Sequence, residues 1–498
     1  MKKIHLKNEP KTSVKLDAFP YQREAFDSIK DLEYAAVFHE QGLGKTKIAI
    51  DTLLYWLETS SIDTVLIVTK KQLVQNWKKE FDTHTYIKPS VLTSDKNNNH
   101  FVFLSPARVI ITNFEVLQVE KVQFILFLKT RNVAIIIDES AKLKNPEAKL
   151  TKTYFELSSL FKKRLILTGT PVSNRPYDIW AQIYFLDFGK SLGNNFSDFK
   201  SKTDLSNSLS TDQSMQESFE NELAVIFEKI SKFSIRETKN SGVIELPDKV
   251  FVREEAELTQ EQYGLYNRIR EELRIEVTKY GQKIIDDSSA IVKRLLRLVQ
   301  VVSNPLLVDE GFEGKSAKEA VLDKVIKGIL SNEEKCIVWT SFIENVDYFN
   351  KVYSQYGSVK IHGKMKIAER NHSVERFRLS DYKILFATPA SAKEGLTLTE
   401  ANHVIFYDRG FSLDDYLQAQ DRIHRISQLK TCYVHNIIAS GTIDEWIDIL
   451  LEAKQNAASL AQGDVTLNAY KKIADYSFGD VVKEILNIYE YKEDSTRE

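Results

Sequence analysis

The sequence predicts an α/β fold made of two consecutive domains, in each of which helices cover both faces of a parallel sheet. Short, continuously apolar runs rich in β-branched residues alternate with amphipathic stretches, as strands do that are buried on both faces. These runs fall into two sets, which a more polar and helical middle separates. The 498 residues also exceed what one hydrophobic core usually holds. We therefore expect two α/β domains.

Eight apolar runs mark the predicted strands, four in each half of the pattern. The runs of the first set are TVLIVT (Thr64 to Thr69), RVIITN (Arg108 to Asn113), VAIIIDE (Val133 to Glu139) and RLILTGT (Arg164 to Thr170). The runs of the second set are CIVWTSF (Cys336 to Phe342), KILFAT (Lys383 to Thr388), HVIFYD (His403 to Asp408) and YVHNIIA (Tyr433 to Ala439). Helical stretches between consecutive runs favour parallel pairing within each set.

The domain boundaries follow from changes in composition along the chain. A first domain is expected over residues 1–246, with a helical insertion near its end at about 189–233, where Ser, Asn, Asp and Phe are frequent. Turn-forming residues and a proline in Ser234 to Lys249 mark the junction. The second domain is expected over 247–475, and the charged tail over 476–498 is predicted to be a helix with a frayed end.

Composition and charge exclude several classes of protein. With 68 basic and 70 acidic residues the chain has no overall basic surface, so a nucleic acid would have to bind in a local cleft. The two cysteines, Cys336 and Cys432, lie in apolar runs and are expected to be buried thiols, not a disulfide or a zinc site. We find neither a signal peptide nor an apolar run long enough to cross a membrane, and expect a soluble, cytoplasmic protein.

One glycine-rich segment, HEQGLGKTKIAI (His39 to Ile50), has the spacing of a phosphate-binding loop followed by a helix. Its glycines would let the backbone wrap phosphate groups at the helix N-terminus. Lys45 would reach the β- and γ-phosphates of a nucleotide, and Thr46 would hold Mg²⁺. His39 replaces the first glycine of the general pattern, so the loop by itself is also compatible with an ordinary turn.

Two further features fit a nucleotide site. The run VAIIIDES ends in Asp138, which would hold the metal, and Glu139, which would orient and deprotonate the attacking water. The alternative is a strand that ends in a solvated acidic turn. Gln22 lies about one helix length before the loop and could donate to and accept from adenine at once, although a single glutamine is usually a surface residue.

Six segments together resemble the Swi/Snf family of helicase superfamily two. They are PYQ, GLGKT, NWKKEF, DESAKLKN, LTGTPVSN and QAQDRIHRISQ, in the order and spacing of that family, over about Pro20 to Ile447. The resemblance implies two tandem RecA-like domains, parallel sheets flanked by helices, with the helical insertion at the end of the first lobe. It points to a minimal, bacterial or phage-type member that carries a DEAD/DEAH-type box.

The resemblance implies a role for each matching residue. The residues implied to bind ATP are Gln22, Gly42, Leu43, Gly44, Lys45, Thr46 and Gly395. Thr46 and Asp138 would hold Mg²⁺, while the implied catalytic residues are Lys45, Glu139, Arg422 and Arg425. The two arginines match arginine fingers, which stabilise charge on a transferring phosphoryl group, although two arginines three residues apart could also share a surface helix face. The residues implied to relay nucleotide state are Thr168, Gly169, Thr170 and Gln418.

Polar residues at strand ends are candidates for contact with a nucleic-acid backbone. The candidates are Lys70, with Lys71 beside it, and Thr112, Asn113, Lys144, Ser341 and Thr388. Such groups position a backbone without reading bases, so binding independent of sequence is expected. Each lysine could equally be an ordinary solvated residue. Trp77 and Trp339 could stack on bases, but packing in the fold is the favoured interpretation.

Two departures from the family pattern concern the link between nucleotide and nucleic acid. Ala141 stands where the acidic box of the family has His, which removes a polar link, and Ser427 stands where Gly is usual. The segment around Gly395 is also less glycine-rich than usual. These departures concern coupling and leave every hydrolytic residue in place.

The resemblance implies an ATP- and Mg²⁺-dependent translocase that tracks along DNA, with duplex favoured and RNA not excluded. It would remodel protein–DNA complexes, anneal strands or migrate branches, as a monomeric motor with a possible protein partner for targeting and no membrane partner. If the chain is phage-encoded, it would act in the host cytoplasm. Two alternatives stay open: a true strand-separating DNA or RNA helicase, and a nucleotide-dependent scaffold without productive turnover.

Overall fold

The structure is a computed structural model, which describes residues 3–59, 62–172, 176–203, 225–244, 246–280, 288–392, 396–461 and 485–486. The chain divides into two compact units, the first made mainly of residues 1–245 and the second mainly of residues 246–456. We call them the first and second lobes. Each lobe contains one parallel sheet, and the two lobes are described separately below.

The first lobe contains a seven-stranded sheet in the order β3-β4-β2-β5-β6-β1-β7, and every strand pair in it is parallel. The strands are β1 (Tyr34–Val37), β2 (Thr64–Thr69), β3 (Ser90–Val91), β4 (Val109–Asn113), β5 (Val133–Asp138), β6 (Lys163–Leu167) and β7 (Ser234–Ile235). The helices are α1 (Pro20–Ile29), α2 (Lys45–Thr59), α3 (Val74–His84), α4 (Lys96–Leu104), α5 (Phe114–Val119), α6 (Lys121–Thr130), α7 (Lys149–Ser158), α8 (Trp180–Asp187) and α9 (Phe196–Thr203).

The second lobe contains a six-stranded sheet in the order β10-β11-β9-β12-β13-β8, again with parallel pairs throughout. The strands are β8 (Lys249–Ala256), β9 (Cys336–Trp339), β10 (Ser358–Ile361), β11 (Ile384–Ala387), β12 (His403–Phe406) and β13 (Cys432–Ala439). The helices are α10 (Gln260–Tyr280), α11 (Ser288–Ser303), α12 (Ala317–Ser331), α13 (Ile343–Val352), α14 (Ile367–Arg378), α15 (Pro389–Ala392), α16 (Leu413–Gln420) and α17 (Ile443–Ala461).

The central strands of both sheets are buried along their whole length. All six residues of β2 and all four residues of β9 and β12 are buried, as expected where helices cover both faces of a parallel sheet. All eight apolar runs form strands, which confirms the predicted fold class. The predicted burial of Cys336 and Cys432 is also confirmed.

Elements at the sheet edges were not predicted from the sequence. Strand β8 pairs with β13 over its full length, but its residues alternate between exposed and half-buried, so it lacks a continuous apolar run. Part of the proposed insertion is helical, in α9 and again at 225–231, while residues 204–224 lie outside the described part of the chain. Most of the proposed C-terminal tail, where a helix was expected, also lies outside it. No helix in the described ranges is both long and apolar enough to span a bilayer.

Candidate active site

The glycine-rich loop lies between the end of β1 and the first turn of α2, at the carboxyl edge of the first sheet. Gly42 and Gly44 have φ angles of 88° and 70°, which side chains with a Cβ rarely adopt. A Cβ at Gly44 would lie 2.1 Å from Nε2 of Gln22. Leu43 between them is buried. The loop therefore depends on glycine both for its backbone conformation and for close contact with α1.

Lys45 begins α2, and its side chain folds back over the loop. Its Nζ donates to the carbonyl oxygens of His39 and Glu40 at 2.9 and 3.3 Å. Thr46 follows in the first turn of the helix, beside amide groups that have no partner within the helix. A loop with left-handed glycines, a lysine and a helix N-terminus is the arrangement that binds nucleotide phosphates.

Gly169, from the LTGTP segment after β6, packs directly against this loop. A Cβ at Gly169 would lie 2.8 Å from Cγ of Gln41 and 3.2 Å from Nζ of Lys45. The flanking Thr168 is buried and its hydroxyl accepts a hydrogen bond from the Thr170 amide at 3.1 Å. Of the residues that the resemblance assigns to coupling, Gly169 thus lies against the lysine of the loop.

The strand order explains how the acids reach the same place. Strand β5 lies between β2 and β6, with Val68 opposite Ile137 and Asp138 opposite Leu167. In that register Thr69 is next to Asp138, and the residues that follow these strands are neighbours at the same edge. The acids therefore lie where parallel strands of an α/β sheet usually carry functional residues.

Asp138 is held by two donors that carry no charge. Its Oδ2 accepts hydrogen bonds from the hydroxyl of Thr69 at 2.9 Å and from the indole N–H of Trp77 at 2.8 Å. Trp77 lies on α3 and is 1% exposed, so it packs in the fold as favoured above and is not available for stacking on bases. Its hydrogen bond to the acid could not be predicted from the sequence, because that contact depends on the order of the strands.

The charge state of Asp138 reflects opposing influences. Burial raises the pKa of Asp138, and the neighbouring Glu139 carboxylate adds to this effect. The hydrogen bonds from Trp77 and Thr69 and the charge of Lys45 lower the pKa again, by smaller amounts. A divalent cation at this carboxylate would favour its ionised form, as positive charge does in general.

Glu139 occupies a constrained backbone position and carries an ion pair. Its φ of 57° lies in the left-handed region, which non-glycine residues seldom adopt and which often marks functional sites. Its carbonyl accepts from the Lys142 amide at 3.0 Å. Its Oε2 lies 3.2 Å from Nζ of Lys70, the first residue after β2. Lys70, a candidate for nucleic-acid contact, is thus bound to the candidate catalytic base.

Gln22 lies on α1 against the loop. Its Nε2 donates to the Leu43 carbonyl at 3.4 Å and to the hydroxyl of Tyr21 at 3.3 Å, while its Oε1 accepts from the Phe19 amide at 3.0 Å. The carboxamide is therefore oriented by the loop and by the start of α1. Both N–H groups of this buried carboxamide are used here, so donation to a base would require Nε2 to exchange Leu43 or Tyr21 for it.

His39 lies under the loop and is fully buried. Within the described part of the chain neither of its ring nitrogens has a hydrogen-bond partner. Burial, followed by the nearby charge of Lys45, lowers the pKa of His39 to about 4. The imidazole is therefore neutral at physiological pH. Its side chain fills the space beneath the loop at the position where the general pattern has glycine.

The residues present fit Mg²⁺ and the phosphates of ATP. A Cβ at Gly44 would not fit, the lysine is at the helix N-terminus, and the half-buried carboxylate of Asp138 is fixed through one oxygen. No group of three or more acidic, His or Cys side chains is arranged as a metal site in the described ranges. Mg²⁺ commonly binds one or two protein oxygens and completes its coordination with phosphates and water.

The other candidate nucleic-acid contacts of the first lobe are less accessible. Thr112 is 0% exposed and Asn113 is 7% exposed. The side chain of Asn113 accepts from the Val116 amide at 3.0 Å and so caps α5. Lys144 is half-exposed and lies 3.5 Å from the carboxylate of Asp178. Within this lobe Lys70 and Lys144 present charge at the surface, whereas Thr112 and Asn113 serve the fold.

In the second lobe, the arginines of the QAQDRIHR segment lie beyond the end of α16. They do not share a helix face, because α16 ends at Gln420, and Arg422 is only 4% exposed. Arg422 donates to the Leu396 carbonyl at 3.4 Å. Arg425 donates to the hydroxyl of Thr397 at 2.8 Å and to the Asp421 carbonyl at 2.9 Å. The interpretation as a surface pair on one helix is therefore wrong.

The segment after Gly395 is bound to the arginine segment through Gln428, a residue that we did not single out. Its Nε2 donates to the carbonyls of Ala401, Ile423 and Thr399 at 2.9, 3.1 and 3.3 Å. Its Oε1 accepts from the next two backbone amides. Its place at the end of the RISQ motif was the available signal. Gly395 itself lies outside the described residues.

The remaining candidates of the second lobe are held at strand ends. The amide of Ser341 donates to Oδ1 of Asp408 at 2.6 Å, and Ser303 donates to the other oxygen of that carboxylate at 2.7 Å. Thr388 and Gln418 are buried. Trp339 is also buried, which agrees with packing and excludes it from stacking on bases in this structure.

Comparisons with known proteins match this chain to two family profiles. A profile described as the SNF2-related domain matches residues 34–307, and one described as the helicase conserved C-terminal domain matches residues 317–427. The first match covers more than half of the chain.

Curated relatives and a solved structure are also similar to this chain. The chain is 30% identical to an uncharacterized ATP-dependent helicase of Mycoplasma pneumoniae, over 88% of this chain and 42% of that protein. It is 27% identical to the DNA repair and recombination protein RAD54-like of Mus musculus, over 82% of this chain and 60% of that protein. A Sulfolobus solfataricus SWI2/SNF2 ATPase core in complex with dsDNA is 26% identical, with coverage of 95% of this chain and 100% of that chain and a TM-score of 0.43. The chain thus spans 42% and 60% of the two curated relatives.

Proposed function

Because the chain belongs to the SNF2-related family, we propose that it is an ATP-driven translocase that tracks along DNA, with the duplex as its track. The single observation that carries this proposal is the convergence on one loop of Lys45, Gly169 and the acids at the end of β5. It joins a phosphate-binding element to a candidate metal ligand, a candidate base and a candidate relay. Remodelling of protein–DNA complexes, strand annealing and branch migration are the expected uses of such a motor.

Each residue of the first lobe has a part in the proposed hydrolysis. Lys45 exchanges the carbonyls of His39 and Glu40, to which it now donates, for phosphate oxygens. The amides at the start of α2 stabilise the same negative charge. Glu139 orients the attacking water and accepts its proton.

Thr46 and Asp138 are the proposed ligands of Mg²⁺, which neutralises charge on the phosphates when it is bound. Trp77 and Thr69 keep the carboxylate of Asp138 in place for this purpose. We assign adenine recognition to Gln22, which is already oriented against the loop.

Arg422 and Arg425 are proposed to stabilise the charge that develops on the transferring phosphoryl group. Both arginines are hydrogen-bonded to the segment after β11, through Leu396 and Thr397. A shift of that segment would therefore change the positions of both arginines. This segment and the LTGTP segment of the first lobe are the proposed routes by which nucleotide state reaches the track.

DNA as the track is supported by family membership and by the mouse relative, whose name places it in DNA repair and recombination. The net charge of −2 shows that binding must use local groups. Lys70 and Lys144 are the charged candidates at the carboxyl edge of the first sheet, and the amide-anchored Ser341 is a candidate in the second lobe.

The test compares ATP turnover without nucleic acid and with single-stranded DNA, duplex DNA and RNA, together with a strand-displacement assay. Stimulation by duplex without strand separation supports the proposal, and Glu139→Gln should abolish turnover under every condition. Equal stimulation by single strands together with unwinding would instead identify a strand-separating helicase. Absence of turnover in the wild-type protein, unchanged in Glu139→Gln, would leave a nucleotide-dependent scaffold.

A further inference from the structure

The two candidate catalytic acids are adjacent in sequence, but they are held by partners of different chemistry. Asp138 accepts from Thr69 and Trp77, which are neutral and buried. Glu139 is paired with the ammonium group of Lys70, and the side chains of this pair are 23% and 19% exposed. All three partners come from one stretch of chain, the end of β2 and the beginning of α3.

Only one of these interactions can be exchanged for a contact with an anion from solution. The donors to Asp138 are enclosed in the core, where a phosphate group of a nucleic acid cannot reach them. Lys70 is partly exposed at the strand end, and an ammonium group on a flexible stem binds phosphate well as a point charge. A partly exposed ion pair is also weak enough to be displaced by a competing charge.

The backbone of Glu139 is constrained at the point where its side chain begins. Its left-handed φ and the hydrogen bond from the Lys142 amide to its carbonyl fix the direction in which the side chain leaves the main chain. A carboxylate oxygen that accepts from an ammonium group is directed at that group. That oxygen is then not directed at a water molecule in line with a γ-phosphate.

We propose that Lys70 restrains Glu139 when no nucleic acid is bound, and that a backbone phosphate releases Glu139 by binding Lys70 in its place. ATP hydrolysis would then depend on the presence of the track through an exchange of partners at one strand end. This inference rests on the proposed function, because it requires both ATP hydrolysis and a nucleic-acid ligand. It adds a regulatory contact that lies within the first lobe.

The test uses Lys70→Met, which removes the charge but keeps an unbranched side chain, and Lys70→Arg, which keeps the pair. Lys79→Met is the matched control, because Lys79 is an exposed lysine further along the same segment, on α3. ATP turnover of the full chain is measured without nucleic acid and over a titration with duplex DNA. Thermal unfolding is recorded for each variant, so that rates are compared only between folded proteins.

We expect Lys70→Met to raise turnover without nucleic acid by about two- to fivefold, the factor that corresponds to loss of a partly exposed ion pair. Stimulation by saturating duplex should fall by the same factor, while Lys70→Arg and Lys79→Met should keep the wild-type ratio. A turnover in Lys70→Met that equals or is lower than that of the wild type, without nucleic acid, would overturn the inference. If no nucleic acid stimulates the wild-type protein, the proposed function itself fails.

Discussion

Replacing Trp77 by Phe should impair ATP hydrolysis through Asp138. The change keeps an aromatic ring in the core but removes the indole N–H that donates to Oδ2 of Asp138 at 2.8 Å. A hydrogen bond to a charged acceptor contributes about 1.5–3 kcal/mol. Of the two side-chain donors to this carboxylate, only the hydroxyl of Thr69 would then remain.

The expected size of the effect follows from this contribution. If most of this hydrogen-bond free energy is lost in the transition state, kcat/KM falls by about 10- to 100-fold. Each increase of about 1.4 kcal/mol in the activation free energy lowers the rate tenfold. A less well-oriented metal ligand should also raise the Mg²⁺ concentration that gives half-maximal turnover. A purely structural role for the ring would lower stability and leave that concentration unchanged.

Trp56→Phe is the matched control for this experiment. Trp56 is buried in the same lobe, and its indole N–H donates to the carbonyl of Lys30 at 2.8 Å, which is an uncharged acceptor outside the loop. Both variants lose one hydrogen bond and the same indole volume. Initial rates over a Mg²⁺ titration compare them, and equal rates with equal Mg²⁺ dependence would refute the role assigned to Trp77.

Three further predictions concern the loop, the buried histidine and the second lobe. Gly169→Ala should lower kcat/KM for ATP about tenfold and the free energy of unfolding by about 1–3 kcal/mol, because the new methyl group clashes with Gln41 and crowds Lys45; normal kinetics would contradict the assigned contact. The pKa of His39 falls from about 6.5 in an unfolded chain to about 4, so the stability it contributes is present above pH 6.5 or so and is lost as the pH falls towards the folded value. Between pH 8 and pH 5 the loss should be about 2 kcal/mol in urea unfolding, and His39→Gln should show a smaller loss over the same interval. Gln428→Ala leaves three backbone carbonyls without their donor and should destabilise the second lobe by about 2–4 kcal/mol; an unchanged unfolding curve would rule that role out.

The sequence predicts the inner strands well because helices cover both faces of a parallel sheet, which makes these strands apolar throughout. Strands β2 and β9 are buried on both faces and therefore consist of continuous apolar runs. Each run begins at the residue where its strand begins in the structure. Strand β8 is largely exposed or half-buried, so it has no continuous apolar run that would predict it. Its place beside β13 depends on pairing between distant segments, which a local pattern does not contain.

The same limit applies to the candidate site. The phosphate-binding loop is local in sequence, so Gly44 and Lys45 could be recognised directly. The partners of the acids could not, because Thr69 and Lys70 meet Asp138 and Glu139 only when β2 lies next to β5. Lys70 carries a charge at a strand end, and without the strand order it resembles any solvated lysine.

Adjacent acids with different partners can perform different tasks in one cycle. A metal ligand must keep its position while nucleotide enters and leaves, and the buried hydrogen bonds from Thr69 and Trp77 are of the kind that persist. A base that responds to a second ligand must instead be able to change partner, and the partly exposed pair with Lys70 is of the kind that exchanges. Because both sets of partners come from one segment, binding at that segment could alter the base without moving the metal ligand. The division predicts that loss of Trp77 changes Mg²⁺ dependence, whereas loss of the Lys70 charge changes dependence on nucleic acid.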